Sequence, residues 1–263
     1  MSGLLRGILA HPLTKGMDVD DPRTTFLRRE IIRRKSFLKQ IYCEWYARLA
    51  VSVKPASCVL ELGSAAGFFK EFAPNVITSE VFLTPGVDRV VDARQLPFAR
   101  DELDGIVMTD VLHHITDVVR FFQEATRCVK AGGEVLMLEP WNTPWSRWVY
   151  QRLHPEPFEP QSDWSIPDTG PLSGANGALP WIVFERDRER FQQEFPGWRI
   201  ESIELLMPFS YLLSGGVSLR ALVPGWAYRP IRWMENHLDQ KRWAMFALIK
   251  LRKSDGPASS VAN

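Results

Sequence analysis

Short apolar runs separated by turn residues fill the middle of the chain, from Cys58 to Glu139, and helix-period segments alternate with them. Val59-Leu60-Glu61-Leu62, Val76-Ile77-Thr78-Ser79-Glu80, a third run ending at Asp92, Asp104-Gly105-Ile106-Val107-Met108-Thr109 and Glu134 to Glu139 read as five strands. Such near-continuous apolar runs call for a parallel sheet covered on both faces. Thr116 or Asp117 is placed to cap a helix through Phe121, Phe122, Ala125 and Cys128, with Gly132-Gly133 as its end. Before the first strand, Asp20-Asp21-Pro22 is a helix start, Asp21 capping and Pro22 in the first position. Leu27, Ile31, Phe37 or Leu38, Ile41, Trp45 and Leu49 then recur at helical spacing. Arg28, Arg29, Arg33, Arg34 and Lys35 form the opposite, solvated face of that helix. After the fifth strand, Glu185 to Phe195 predicts a helix, Trp198 to Met207 a strand and Arg242 to Arg252 a final strand. Ser254 to Asn263 reads as a loose polar tail.

Two stretches interrupt this alternation, residues 141–180 and 208–241. Nine of the ten tryptophans follow residue 140, so the aromatic residues gather outside the alternating core. The organisation expected is an N-terminal helical lid over residues 1–54, an α/β domain over 55–253 carrying both insertions, and a tail over 254–263. A hydrophobic share of 45% with 24% charged residues fits a globular protein, and a net charge of +1 gives no reason to expect nucleic acid. Cys43, Cys58 and Cys128 are too widely spaced for a zinc pattern and read as buried thiols. The first residues lack a signal-peptide pattern, and no run reaches the roughly 20 apolar residues that span a bilayer. A cytoplasmic protein is expected.

The first strand runs into Gly63-Ser64-Ala65-Ala66-Gly67. Gly63 can take positive φ and let the backbone approach a ligand, while Gly67 can let a following helix pack closely on the strand. A glycine turn alone is a weak signal. The acid ending the second strand, Glu80, lies 17 residues after Gly63, near where nucleotide-binding βαβ units place the carboxylate that holds a ribose diol.

Taken in order, ELGSAAG, this strand-end acid, DARQLPF, DGIVMTDVLHHI and RCVKAGGEVLMLEP resemble the class I S-adenosylmethionine-dependent methyltransferases, in particular the type 11 group, over about residues 55–140. One departure is Ala65, where that group usually has a further glycine. The resemblance implies an α/β, doubly wound, mostly parallel seven-stranded sheet of Rossmann-like form, with the last strand antiparallel and the N-terminal segment able to close over the cofactor. It implies S-adenosylmethionine as cofactor, with Glu61 and Gly63 on the methionine side, Gly67 in the glycine turn and Glu80 on the ribose hydroxyls. Asp92 would then meet the adenine amine, the Ala93 amide a ring nitrogen, and Asp110 the same site from the end of the fourth strand. The plain alternatives are a solvated strand-end acid at Glu80 and a turn-forming acid at Asp92.

Methyl transfer from a sulfonium needs an in-line arrangement and, for a hydroxyl acceptor, a base. His113 and His114, on the rim after the fourth strand, are candidate bases, with packing histidines as the alternative. The first insertion adds His154 and Glu156 as catalytic candidates, and Asp163, Trp164 and Asn176 as substrate contacts. Prolines flanking Glu156 would stiffen its backbone, and Trp164 could stack on a ring. Trp141, Trp145 and Trp148 share a helical face and read as a packed stripe. Trp226, Tyr228, Ile231 and Trp233, interleaved with Arg229 and Arg232, read as lid packing or as a peripheral membrane contact. No pair has metal-ligand spacing on a helix, so no metal is expected. The sequence thus points to an enzyme methylating oxygen on a small-molecule, sugar or carrier- or lipid-linked acceptor. A methyl transfer to nitrogen or carbon and a non-catalytic cofactor-binding partner protein are the rivals.

Overall fold

The computed structural model describes residues 20–54, 57–64, 66–154, 156–167, 170 and 174–255. Seven strands form one sheet: β1 (Val59–Leu62), β2 (Ile77–Glu80), β3 (Arg89–Val90), β4 (Leu103–Thr109), β5 (Val129–Pro140), β6 (Trp198–Leu206) and β7 (Phe246–Lys253). Their order is β3-β2-β1-β4-β5-β7-β6. Every pair from β3 to β5 is parallel, and β7 runs antiparallel to both β5 and β6. The chain winds outward from β1 to β3, then crosses back to β4 beside β1. That reversal opens a crevice at the carboxyl ends of β1 and β4, where open α/β sheets bind ligands.

The helices are α1 (Pro22–Arg34), α2 (Ser36–Ala50), α3 (Val118–Cys128), α4 (Pro144–Leu153), α5 (Arg188–Glu194), α6 (Ser210–Ser214) and α7 (Tyr228–Glu235), with shorter turns among them. Asp21 caps α1 by accepting from the Arg23 amide, and Asp117 caps α3 through the Arg120 amide. Each cap satisfies one of the amides a helix start leaves without a partner.

Several expected boundaries move. The single N-terminal helix is broken at Lys35, whose ψ of 94° lies outside the helical range. No glycine or proline marks the break. Lys35 is not on a solvated face: it is buried, and its Nζ donates to the carbonyls of Gly216 and Leu219 in the second insertion. Burial lowers its pKa to about 8. At the other end of the domain, Gly132 and Gly133 do not terminate α3, which stops at Cys128 when Val129 turns extended and pairs with Leu103. Gly133 instead permits close strand approach, because a Cβ there would lie 2.8 Å from the Asp104 carbonyl oxygen. Gln240–Trp243 is a helical turn, so the last strand begins only at Phe246.

A larger difference follows the glycine turn. The expected α-helix between β1 and β2 is a single 3₁₀ turn, Phe69–Glu71. Its packing role passes to α2, which buries Phe37, Leu38, Ile41, Tyr42, Trp45, Tyr46 and Leu49. Tyr46 packs on Phe68, Phe69 and Phe72 with ring centroids 5.0, 5.4 and 5.8 Å away. Gly67 is therefore small for a different reason than helix packing: a Cβ there would lie 2.1 Å from the Tyr46 hydroxyl.

Two outcomes test this packing. Gly67→Ala should destabilise the protein by about 1–3 kcal/mol, the range for overpacking, and Tyr46→Phe in the same chain should recover most of that loss in denaturant unfolding. Equal losses in the single and double variants would show that the hydroxyl is not the obstacle. Lys35→Met, which leaves two carbonyls without their donor, should cost about 1–3 kcal/mol and raise hydrogen exchange in residues 215–220.

Candidate functional site

The glycine turn is fixed from beneath before it meets any ligand. Ser64 N donates to the Ser79 carbonyl (2.8 Å), Ser79 N returns a bond to Ser64 Oγ (3.0 Å), and Ser79 Oγ donates to the Glu61 carbonyl (2.7 Å). Gly63 has φ of +70°, and a Cβ on it would lie 2.4 Å from a Val111 methyl. These bonds hold the ends of β1 and β2 together beside a cavity of about 910 Å³.

Glu61, Gly63, Gly67, Glu80, Asp92, Ala93 and Asp110 all line that cavity. Glu61 and Glu80 are buried, and burial raises the Glu61 carboxyl to about 7. Glu80 Oε1 accepts from the Val81 amide at 2.9 Å, which aims the carboxylate at the end of β2. Asp92 is half exposed and takes the Arg94 amide and guanidinium at 2.8 to 3.2 Å, the geometry of a turn-forming acid. Asp110 follows β4 in left-handed backbone, φ +56°. Burial, chiefly, raises its carboxyl to about 7. From the N-terminal segment, Thr24, Thr25 and Arg28 line the same cavity, so Arg28 does not sit on a purely solvated face.

The histidine pair sits in a 3₁₀ turn, Leu112–His114, and its anchor is Glu139 at the end of β5. That carboxylate is fully buried and accepts from the amides of Val111 (2.9 Å) and Leu112 (2.8 Å) and from His113 Nδ1 (2.7 Å). On the ring's far side, His113 Nε2 lies 3.7 Å from Glu156 Oε2. Burial disfavours a proton on His113, but the Glu139 bond and the charge of Glu156 outweigh it and raise its pKa to about 10. His114 behaves oppositely: burial, reinforced by the charge on His113, lowers it to about 4. Its Nδ1 is 3.2 Å from the Gly174 carbonyl, which can only accept, so Nδ1 carries the hydrogen. Burial acts to raise Glu156, yet His113 and His154 hold its carboxyl well below the usual carboxylate range. His154 Nδ1 stands 3.8 Å from the Glu156 carboxylate, and both residues line the cavity.

Three expected substrate contacts lie elsewhere. Asp163 is largely exposed, pairs with Arg190 at 2.7 Å and caps the Trp164 amide. Trp164 is buried against Phe191, donates its Nε1 to Asp187 at 2.9 Å and has the Arg190 guanidinium 4.2 Å above its ring. Asn176 is buried and staples its loop, accepting from the amides of Glu159 and Ala178 and donating to the Glu159 carbonyl and Ser162 Oγ. None of the three lines the cavity. Asp163 and Trp164 instead fasten the insertion to Asp187 and Arg190 at the start of the following helix, and Asn176 fastens the insertion to itself.

The apolar part of the cavity comes from side chains with no motif of their own: Tyr42, Tyr46, Tyr150, Leu153, Phe158, Tyr211 and Leu212. Glu139 was also missed, although an acid closing the run Leu136-Met137-Leu138 is a visible anomaly. Of the expected stripe, Trp145 and Trp148 stack at 5.6 Å on α4, with Trp145 also against Phe209 and Trp243, but Trp148 is 42% exposed and Trp141 is buried before the helix begins. The second insertion sorts its aromatic residues by face. Tyr228 and Arg232 are buried, whereas Trp226 and Trp233 are 81% and 69% exposed. Among the described residues, no helix is long and apolar enough to cross a membrane.

Comparison with known proteins gives a match between residues 69–137 and the family model described as a methyltransferase domain of type 11. No curated protein sequence matches the chain. Among solved structures, the YcgJ protein of Bacillus subtilis is 15% identical, with a TM-score of 0.46 over 83% of this chain and 100% of its own. Geranyl diphosphate C-methyltransferase of Streptomyces coelicolor is 12% identical, with a TM-score of 0.49 over 86% of this chain and 83% of its own. The domain match falls on the stretch from the 3₁₀ turn after Gly67 to β5, which contains the strand-end acids and the histidine turn. Residues 69–137 thus match a methyltransferase domain of type 11, and they lie within the seven-stranded, mostly parallel sheet of order β3-β2-β1-β4-β5-β7-β6.

Proposed function

We propose that the enzyme methylates an oxygen of a small-molecule, sugar or carrier- or lipid-linked acceptor, and that Asp110 is the base. When bound, S-adenosylmethionine supplies an electrophilic methyl group on a sulfonium that leaves as a neutral thioether. The residues present suit it: Glu61 and Gly63 would hold the methionine end, Gly67 would shape the turn, and Glu80 would take the ribose hydroxyls. A carboxylate acceptor suits a diol because charge-assisted hydrogen bonds are about twice as strong as neutral ones. Asp92 and Ala93 would meet the adenine edge, Asp92 while still held by Arg94.

The observation that carries the oxygen reading is a carboxyl poised near neutrality in a cavity that also has an apolar aromatic wall. A general base works best with a pKa near the operating pH, and Asp110 is raised to about 7. His113, raised to about 10, already holds its proton, and His114, lowered to about 4, is a weak acceptor. This reading moves the role of base from the two histidines to Asp110. His154 and Glu156 then orient the acceptor from the first insertion. Tyr150, Phe158 and Tyr211 offer ring faces for a sugar or aromatic acceptor.

A lipid-linked acceptor has an observation of its own. Leu219 and Leu222 of the second insertion line the cavity, and Leu222, Trp226, Trp233 and Met234 expose large apolar surface on that insertion, with Arg229 exposed beside them. Tryptophan and arginine together suit a membrane interface, where one end of the side chain is apolar and the other wet. On this reading the protein is cytoplasmic and meets its acceptor at a membrane surface.

Cofactor binding should strengthen as pH rises from about 6 to 7.5. Glu61 must ionise to meet the positive methionine end, and its pKa lies near 7, so affinity should gain up to about tenfold per pH unit below that value. Calorimetry on the wild type should show this slope and Glu61→Gln should flatten it; a pH-independent wild type would remove Glu61 from the cofactor. For transfer, isotope-labelled S-adenosylmethionine should deliver its methyl group to hydroxylated acceptors, in soluble and lipid-linked form, as an ether or ester seen by mass spectrometry. Asp110→Asn should lower kcat by about a hundredfold while leaving cofactor affinity within about threefold. Methylated amines or carbons as the products would overturn the oxygen reading.

A further inference from the structure

We propose that His113 Nε2, His114 Nε2 and the Glu156 carboxylate form a binding site for a divalent transition-metal ion that faces the cavity. The ligand atoms of these three residues all lie within 4.8 Å of one another. Sequence spacing conceals the cluster, because adjacent histidines on a strand or helix would diverge. The 3₁₀ turn Leu112–His114 brings the two rings together instead, with centroids 4.2 Å apart and planes inclined by 41°.

The outer contacts are those of metal-ligating histidines. A ligating imidazole usually donates its other N–H to a carboxylate or carbonyl, which fixes the tautomer and the ring's direction. Here His113 Nδ1 is bonded to the Glu139 carboxylate at 2.7 Å and His114 Nδ1 faces the Gly174 carbonyl at 3.2 Å. With each Nδ1 so engaged, Nε2 is the ring atom left to ligate, and that of His113 faces Glu156 Oε2. The 3.7 Å between His113 Nε2 and Glu156 Oε2 is too long for a direct hydrogen bond. Two ligands about 2.0–2.1 Å from one ion, at tetrahedral or trigonal angles, stand about 3.3–3.6 Å apart, so the gap is close to metal size.

Two imidazoles and one carboxylate suit zinc, iron(II), cobalt or manganese and leave positions open on the cavity side. On binding, His113 Nε2 releases its proton to solvent and the ion takes its place. An acceptor hydroxyl could then coordinate one open position, its O–H proton passing to Asp110 while the oxygen stays bound as an alkoxide. That use rests on the oxygen-methylation reading; the site itself rests on the ligand geometry.

Chelator-stripped, tag-free protein should bind one equivalent of Co²⁺, seen as a visible d–d absorption and as heat in calorimetry. His114→Ala and Glu156→Gln, each with unchanged circular dichroism, should weaken that binding at least about tenfold. A folded wild type with neither signal, or variants that bind Co²⁺ as the wild type does, would overturn the site. Co²⁺ binding lost in both variants, together with transfer that is the same in stripped and metal-loaded wild type, would retain the site and overturn its role at the acceptor oxygen.

Discussion

The floor of the cavity depends on one buried carboxylate. Glu139 ends β5 with no exposed surface, and three donors from the turn after β4 converge on it. Removing that carboxylate would leave the amides of Val111 and Leu112 without their acceptor, each at a cost of about 1–3 kcal/mol, and would free the His113 ring to rotate. The same turn reaches into the first insertion, since the Asn176 amide donates to the His113 carbonyl at 2.9 Å. Cofactor sheet and acceptor loop are thus registered to one another through a few atoms around Glu139. This is the second role of an acid that strand propensity alone would have placed on a surface.

The roof is held by charge in a comparable way. Glu235, fully buried, accepts from the amides of Phe209 and Ser210, from the Ser210 hydroxyl and from Arg232. Arg232 also binds Glu44 of α2 at 2.7 Å, and Tyr228 donates to the same carboxylate. Buried ion pairs contribute little net stability compared with well-packed apolar groups, but breaking one partner is costly. Their effect here is positional. The second insertion is tied to α2 at Glu44 and to the break between α1 and α2 at Lys35, so its leucines meet the cavity in one arrangement.

The core strands and the glycine turn could be read from the chain because each rests on local pattern: apolar runs, strand-end acids and turn residues at set intervals. The site's acceptor half could not. Asp163, Trp164 and Asn176 had the chemistry of substrate contacts, yet a long loop needs partners for its own backbone, which Asp163 and Asn176 supply, and an anchor to the next helix, which Trp164 supplies through Asp187. Lys35 matched a solvated face by spacing, but two carbonyls far along the chain draw it inward and break the helix. His113 and His114 were visible as a pair, while their opposite protonation states come from Glu139, Glu156 and burial, none of which is local in sequence. Tyr42, Tyr150 and Tyr211 line the cavity from three separate elements and share no motif.

The 3₁₀ turn in place of a helix between β1 and β2 has a consequence for how the cofactor end is completed. In an ordinary βαβ unit the glycine turn is closed by its own helix, and the ordering cost falls on a short, contiguous piece of chain. Here the wall behind Gly67 is Tyr46, which belongs to a segment preceding the whole sheet. That wall is complete only with the earlier segment in place, so closing the pocket carries the entropy cost of a non-local loop closure. The N-terminal helices, buried in the same core as the strands, thus couple the cofactor end to the sheet.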